Sequence, residues 1–220
     1  MRPAAAIFDL DGVLADSAVL HYAAWKRLAD DLGIAFDEAA NEALKGVDRM
    51  GSLRLLLALG SRVASQTEME VMADAKNAHF VEMVGRATPA DLLPGAERLL
   101  ADARAADLML AVASASRNAP ALLARLGIAD RFDFIADAAV LHPKPAPDIF
   151  LACADALGVE PARCIGFEDA AAGIEAIRAA QMFAVGIGDP QALSRAHLIY
   201  PSTTAVDLGM VLARSTIAQH

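Results

Sequence analysis

The sequence predicts an α/β fold, a Rossmann-like parallel sheet core with an inserted all-helical cap domain. Three observations carry that expectation. Close to the N-terminus, Ala4-Ala5-Ala6-Ile7-Phe8 is an apolar stretch of strand length that stops at carboxylates. From Ala96 onward, apolar strands alternate with helical segments, the pattern of a parallel sheet covered by helices on both faces. Between the two lies a block with helical spacing and no convincing strand. The core is therefore expected over residues 1–15 and 93–220, and the cap over 16–92.

Each element has its own signal. Ser17 is placed to cap a helix to about Leu32, with Val19, Tyr22, Trp25 and Leu28 on its apolar faces and Gly33 ending it. Asp37 caps a short helix through Leu44, which Gly46 ends. Met50–Leu59 reads as a third helix, stopped by Gly60. Thr67-Glu68-Met69-Glu70 has the form of a capping box and opens a fourth, to about Gly85. Pro89 and Pro94-Gly95 then punctuate the chain. Helices over 96–106, 119–126, 148–157 and 170–180 alternate with strands over 108–113, 134–136, 164–167 and 183–187. A short strand near Leu198-Ile199 and a helix near Leu208–Leu212 complete the pattern.

Composition limits the function. Of the 220 residues 56% are hydrophobic and only 5% aromatic, so the core is aliphatic and rich in Ala. The net charge is −9 with no Lys/Arg run, which excludes a nucleic-acid partner that clustered positive charge would hold. No apolar run approaches membrane-spanning length and the N-terminus lacks a signal-type apolar region, so no membrane partner is expected. Cys153 and Cys164 have no metal-type spacing and read as buried thiols in a reducing cytoplasm. A cytoplasmic monomer acting on a small molecule is the expectation.

The chemistry starts at Asp9-Leu10-Asp11-Gly12. Residues two apart in extended chain face the same side, so Asp9 and Asp11 converge at the C-terminal end of the first strand. Open α/β sheets keep their ligands at that edge. Two carboxylates so close need a cation or a shared proton, and a hard cation such as Mg²⁺ suits oxygen ligands beside a phosphate. Three more signals fall on later strand ends. Ser114-Ala115-Ser116-Arg117-Asn118 puts hydroxyls and backbone N–H groups before a helix. Lys144 stands in the Pro-rich stretch His142–Asp148, and Glu168-Asp169 follows an apolar strand. Each alone would read blandly, as an N-cap, a solvated lysine and an acidic helix start. Together they point to one site.

The order Asp-x-Asp, Ser, Lys, acidic pair resembles the four motifs of the haloacid-dehalogenase (HAD) superfamily of phosphoryl-transfer enzymes, across the whole core. The resemblance implies Asp9 as nucleophile, Asp11 as general acid/base, and Ser114 and Lys144 as binders of the transferring phosphoryl. It implies Mg²⁺ held by Asp9, Asp11 (through its backbone carbonyl), Glu168 and Asp169. A narrower resemblance is to the phosphosugar mutases of that superfamily. It rests on His21–Lys26, Leu44-Lys45-Gly46-Val47-Asp48-Arg49, Lys76-Asn77, Ser114–Ser116 and Lys144-Pro-Ala-Pro-Asp-Ile-Phe. It implies interconversion of β-D-glucose 1-phosphate and glucose 6-phosphate, with β-D-glucose 1,6-bisphosphate as intermediate and activator. Arg49 would grip the distal phosphate, and His21 with Lys76 would couple cap closure to proton transfer. Trp25, Gly46, Val47, Ser52, Ala115, Ser116, Arg117 and Asn118 complete the implied substrate site. Asp48, where a small Ser is usual, is expected to weaken anion binding locally. The competing expectation is a sugar-phosphate phosphatase in which water attacks the same aspartyl phosphate.

Overall fold

The computed structural model describes residues 2–44 and 47–217. Six strands form one parallel sheet: β1 (Ala5–Phe8), β2 (Met109–Val112), β3 (Phe134–Ile135), β4 (Cys164–Glu168), β5 (Phe183–Ile187) and β6 (Leu198–Tyr200). Their spatial order is β3-β2-β1-β4-β5-β6. β1 lies centrally, with Phe8 in register with Val112 on one side and Phe167 on the other. All residues of β1, β4 and β5 are buried, as expected when helices cover both faces of a parallel sheet. α5 (Ala96–Ala105), α6 (Ala119–Arg125), α7 (Asp148–Leu157), α8 (Ala171–Ala179) and α9 (Leu208–Ile217) supply that cover. One apolar cluster contains Phe8, Leu110, Phe167 and Val185; the other contains Ile7, Phe150, Ile174 and Ile177. Alternate residues of each strand thus feed opposite faces. Cys153 and Cys164 are free and buried in the second cluster, and burial pushes both thiols up to about 12.

Between β1 and α5 lie α1 (Ala18–Asp31), α2 (Glu38–Glu42), α3 (Arg49–Leu59) and α4 (Gln66–Val84). They enclose a third apolar cluster of their own, with Trp25, Leu28, Phe36, Leu53 and Leu56. The chain leaves the sheet and returns to it along paired backbone. Leu93 N donates to Leu14 O at 2.9 Å, Asp16 N donates to Asp91 O at 3.2 Å, and Ala15 bridges Leu92.

Two expected caps are corrected, and one unexpected cap is found. Ser17 makes no side-chain capping bond; its hydroxyl donates to the Asp11 carboxylate instead. The capping box of α4 is Ser65 with Glu68, two residues before the expected Thr67, since Ser65 has the extended backbone that an N-cap needs. Asp48 caps α3, accepting from Met50 N at 3.0 Å and Gly51 N at 3.2 Å. The last helix runs to Ile217, beyond the expected Leu212.

Candidate active site

The β1 strand delivers Asp9 and Asp11 to the sheet's C-terminal edge, and Gly12 turns the chain there at φ +79°. A Cβ on Gly12 would come within 2.1 Å of Asp169 Oδ2, so the turn closes directly onto that carboxylate. Gly173 does the same from α8: a Cβ there would lie 2.0 Å from Glu168 Oε2. Two residues without side chains thus let backbone approach the two acids of β4's end.

Lys144 is the hub of the buried floor. Its Nζ donates to Asp9 Oδ1 and to Glu168 Oε2, both at 2.7 Å, and it is only 4% exposed. A solvated lysine, the bland expectation for this loop, is thus excluded. The second oxygen of Glu168 accepts from Asp169 N at 3.2 Å and Ala170 N at 3.1 Å. Burial pushes the Glu168 carboxyl up to about 7, and the nearby Asp9 charge adds to the rise while Lys144 opposes it. Burial likewise raises Asp9, against the pull of Lys144. The carboxylates in turn hold Lys144 above its ordinary value despite its own burial.

One oxygen from each of Asp9, Glu168 and Asp169 lies within 4.8 Å of the others. Three hard oxygen donors crowded this closely, with Gly12 pressed onto one of them, fit Mg²⁺. The Asp11 side chain stands outside this trio. It accepts from the Ser17 hydroxyl and makes a longer contact of 3.5 Å with Ser114 Oγ. Burial raises its pKa, the property a proton donor needs.

Next to Asp11 stand two basic side chains. Lys76 Nζ stands 3.0 Å from His21 Nδ1. With Lys76 as the ammonium, Nδ1 accepts and Nε2 carries the proton. That nitrogen stands 3.6 Å from Asp11 Oδ1. The ring stacks on Phe80 at 4.0 Å, and burial with the Lys76 and Arg49 charges lowers its pKa well below 6.5, so it is neutral. Lys76 is 4% exposed, 4.8 Å over the Trp25 ring and 4.6 Å over Phe80. Burial, reinforced by Arg49, lowers it to about 7. Lys76 is thus no solvated surface charge.

These groups meet in one cavity of 610 Å³ between the helical layer and the sheet edge. Asp9, Asp11 and Asp169 line its floor side, and Ala115, Ser116, Arg117 and Asn118 enter from the β2–α6 loop. The helical layer contributes His21, Trp25, Val47, Arg49, Ser52 and Lys76. Ser52 Oγ donates to Val47 O at 3.3 Å, fixing the start of α3. Ser114, Lys144 and Glu168 lie buried behind the wall, and Gly46 falls outside the described residues. Sequence reasoning missed Asn41, Gln66, Glu70 and Asp74, which also line the cavity. Their positions on α2 and α4 carry no motif that could have marked them.

Known proteins share this fold. The haloacid dehalogenase-like hydrolase family model matches residues 3–181, and the chain belongs to that family. Within it, the chain is 43% identical to β-phosphoglucomutase from Bacillus subtilis (strain 168), over 94% of this chain and 93% of that one. The crystal structure of β-phosphoglucomutase from Clostridium difficile superposes with a TM-score of 0.94 at 44% identity, covering 98% of each chain. Fructose-1-phosphate phosphatase YqaB from Escherichia coli (strain K12) is 34% identical, over 84% of this chain and 97% of its own.

Proposed function

We propose that the protein interconverts β-D-glucose 1-phosphate and glucose 6-phosphate, as the names of its B. subtilis and C. difficile relatives indicate for them. Asp9 attacks phosphorus, the bond to the sugar oxygen breaks, and an aspartyl phosphate forms. Asp11 gives its proton to the leaving oxygen and takes one from the hydroxyl that attacks in return. Passing the phosphoryl to the opposite end of a sugar monophosphate makes β-D-glucose 1,6-bisphosphate. That species turns over in the cavity and phosphorylates Asp9 again from its other end. Lys144 and Ser114 bind the transferring phosphoryl, while Arg49, Ser116, Arg117 and Asn118 hold the distal one. Mg²⁺ held by Asp9, Glu168, Asp169 and the Asp11 carbonyl would neutralise the charge gathered around the phosphoryl.

Residues 16–92 act in this reading as a cap that hinges at the paired segments 14–16 and 91–93. The observation that carries a mutase over a phosphatase is the relay of Lys76, His21 and Asp11. Two of its members ride on the helical layer, so Asp11 becomes a competent base when that layer closes on a sugar. Water alone does not bring about that closure, and the aspartyl phosphate is spared. The nucleophile is tested by mass spectrometry after incubation with acetyl phosphate and Mg²⁺. The protein should gain one phosphoryl and Asp9→Asn none. Equal labelling of the variant would place the nucleophile elsewhere.

A further inference from the structure

Between β6 and α9 the chain makes one 3₁₀ turn, Thr203–Ala205. Its first two residues reach both segments that join the helical layer to the sheet. Thr203 Oγ1 donates to Val13 O and Thr204 Oγ1 donates to Pro94 O, each at 2.7 Å. Val13 directly precedes the outgoing segment 14–16, and Pro94 directly follows the returning segment 91–93. The turn is itself tied to α5, since Arg98 donates to Thr204 O at 2.7 Å and to Val206 O at 3.3 Å. Within residues 9–15, the N–H groups of Gly12, Leu14 and Ala15 go to Ala15 O and Leu10 O. The Val13 carbonyl is met from outside, by the hydroxyl of a buried residue 190 positions further on. Packing alone does not hold this corner, because a cavity of 370 Å³ borders Gly12, Leu93, Pro94 and both threonines.

We propose that Thr203 and Thr204 are positioning residues that anchor the core ends of both hinge segments, so that cap motion stops there and does not reach the Asp9–Gly12 turn. The proposal rests on the hinge reading of segments 14–16 and 91–93 given above. A hinge moves one body cleanly only when its other end is fixed; otherwise displacement of Leu14 passes back along the backbone to Gly12. Gly12 lies against the Asp169 carboxylate, so a slipping turn would disturb the three acids that suit Mg²⁺. The Thr203 bond is the stronger anchor. It is buried, and its loss leaves a carbonyl without a donor away from water. The Thr204 bond is exposed, so water replaces part of it.

Hydrogen exchange read by mass spectrometry, with Mg²⁺ affinity from calorimetry, tests the anchor on the full chain. Thr203→Val keeps the side chain's shape and withdraws the donor. It should speed amide exchange over residues 10–15 about tenfold and weaken Mg²⁺ binding about tenfold. Thr203→Ser keeps the hydroxyl and should stay within about twofold of the wild type in both readouts. Thr204→Val should speed exchange over residues 91–96 about threefold and leave Mg²⁺ affinity unchanged. Exchange that rises evenly across β1, β2 and β4, Mg²⁺ affinity untouched by Thr203→Val, or Thr203→Ser behaving like Thr203→Val would each overturn the proposal. Thr204→Val changes only an exposed bond and keeps the test decisive where Thr203→Val does not fold: unaltered exchange over 91–96 overturns the proposal by itself. Failure of the hinge reading would show separately, as wild-type exchange over 14–16 and 91–93 that glucose 6-phosphate leaves unchanged.

Discussion

Replacing Lys144 with methionine removes the cation that Asp9 and Glu168 share, and the structure sets the size and the pH dependence of the loss. The three side chains are 1%, 7% and 1% exposed, so little solvent is available to replace the missing charge. Breaking a buried ion pair from one side costs about 3–5 kcal/mol. That cost falls on ionised carboxylates. Glu168 already sits at about 7 against an ordinary 4.5 with Lys144 present. The gap corresponds to roughly 3 kcal/mol of disfavoured ionisation. A carboxyl with its folded pKa raised contributes stability that is present below the unfolded pKa and is lost as pH rises through the folded one. Without Lys144 both carboxyls rise further, and at pH 5 they take up protons instead of facing each other ionised. In metal-free buffer, Lys144→Met should therefore lose about 3–5 kcal/mol at pH 8 and less than about 2 at pH 5. In urea this is a midpoint shift of about 1–2 M at pH 8, for a slope near 2–3 kcal/mol/M. Mg²⁺ should recover part of the loss at pH 8. Equal losses at both pH values, or none at either, would refute the reasoning.

Arg49→Ala should lower kcat/KM for phosphosugars by about 10–100-fold, the loss of one charged hydrogen-bonding group. Its phosphorylation by acetyl phosphate, which has no distal phosphate, should change little, and equal losses in the two assays would make Arg49 structural. Lys76→Met should stabilise the fold while impairing turnover. The Lys76 pKa is lowered to about 7, so its stabilising share is lost as pH falls toward that value. The gain measured by urea unfolding should therefore be a few kcal/mol at pH 6 and about half that at pH 9. A gain independent of pH would show that Lys76 is not held against its charge.

Much of the sheet and of the floor chemistry was legible because strand and site share one sequence signal. An apolar run that stops at Asp9 and Asp11 places two carboxylates at a strand end by the two-residue period alone, and β4 ending at Glu168-Asp169 repeats the logic. What escaped the sequence depends on contacts between distant segments. The Pro-rich loop around Lys144 reads as surface, and only the fold shows its ammonium group buried between Asp9 and Glu168. Ser17 looks like a helix cap, but its backbone is helical rather than extended, and the turn at Gly12 brings Asp11 within reach of its hydroxyl. Asp48 read only as a charge beside Arg49, and the structure adds that it caps α3, which begins one residue earlier than expected. The shared contact of Arg49, Asn77 and Asn118 joins three elements and leaves no periodic trace in the chain.

The central claim is that the aspartyl phosphate on Asp9 is returned to a sugar rather than to water. Pure β-D-glucose 1-phosphate, primed with β-D-glucose 1,6-bisphosphate and Mg²⁺, should be followed for glucose 6-phosphate and inorganic phosphate in the same reaction. Near-complete conversion to glucose 6-phosphate with little free phosphate is the expected result. Inorganic phosphate as the main product would contradict the claim and make the protein a sugar-phosphate phosphatase.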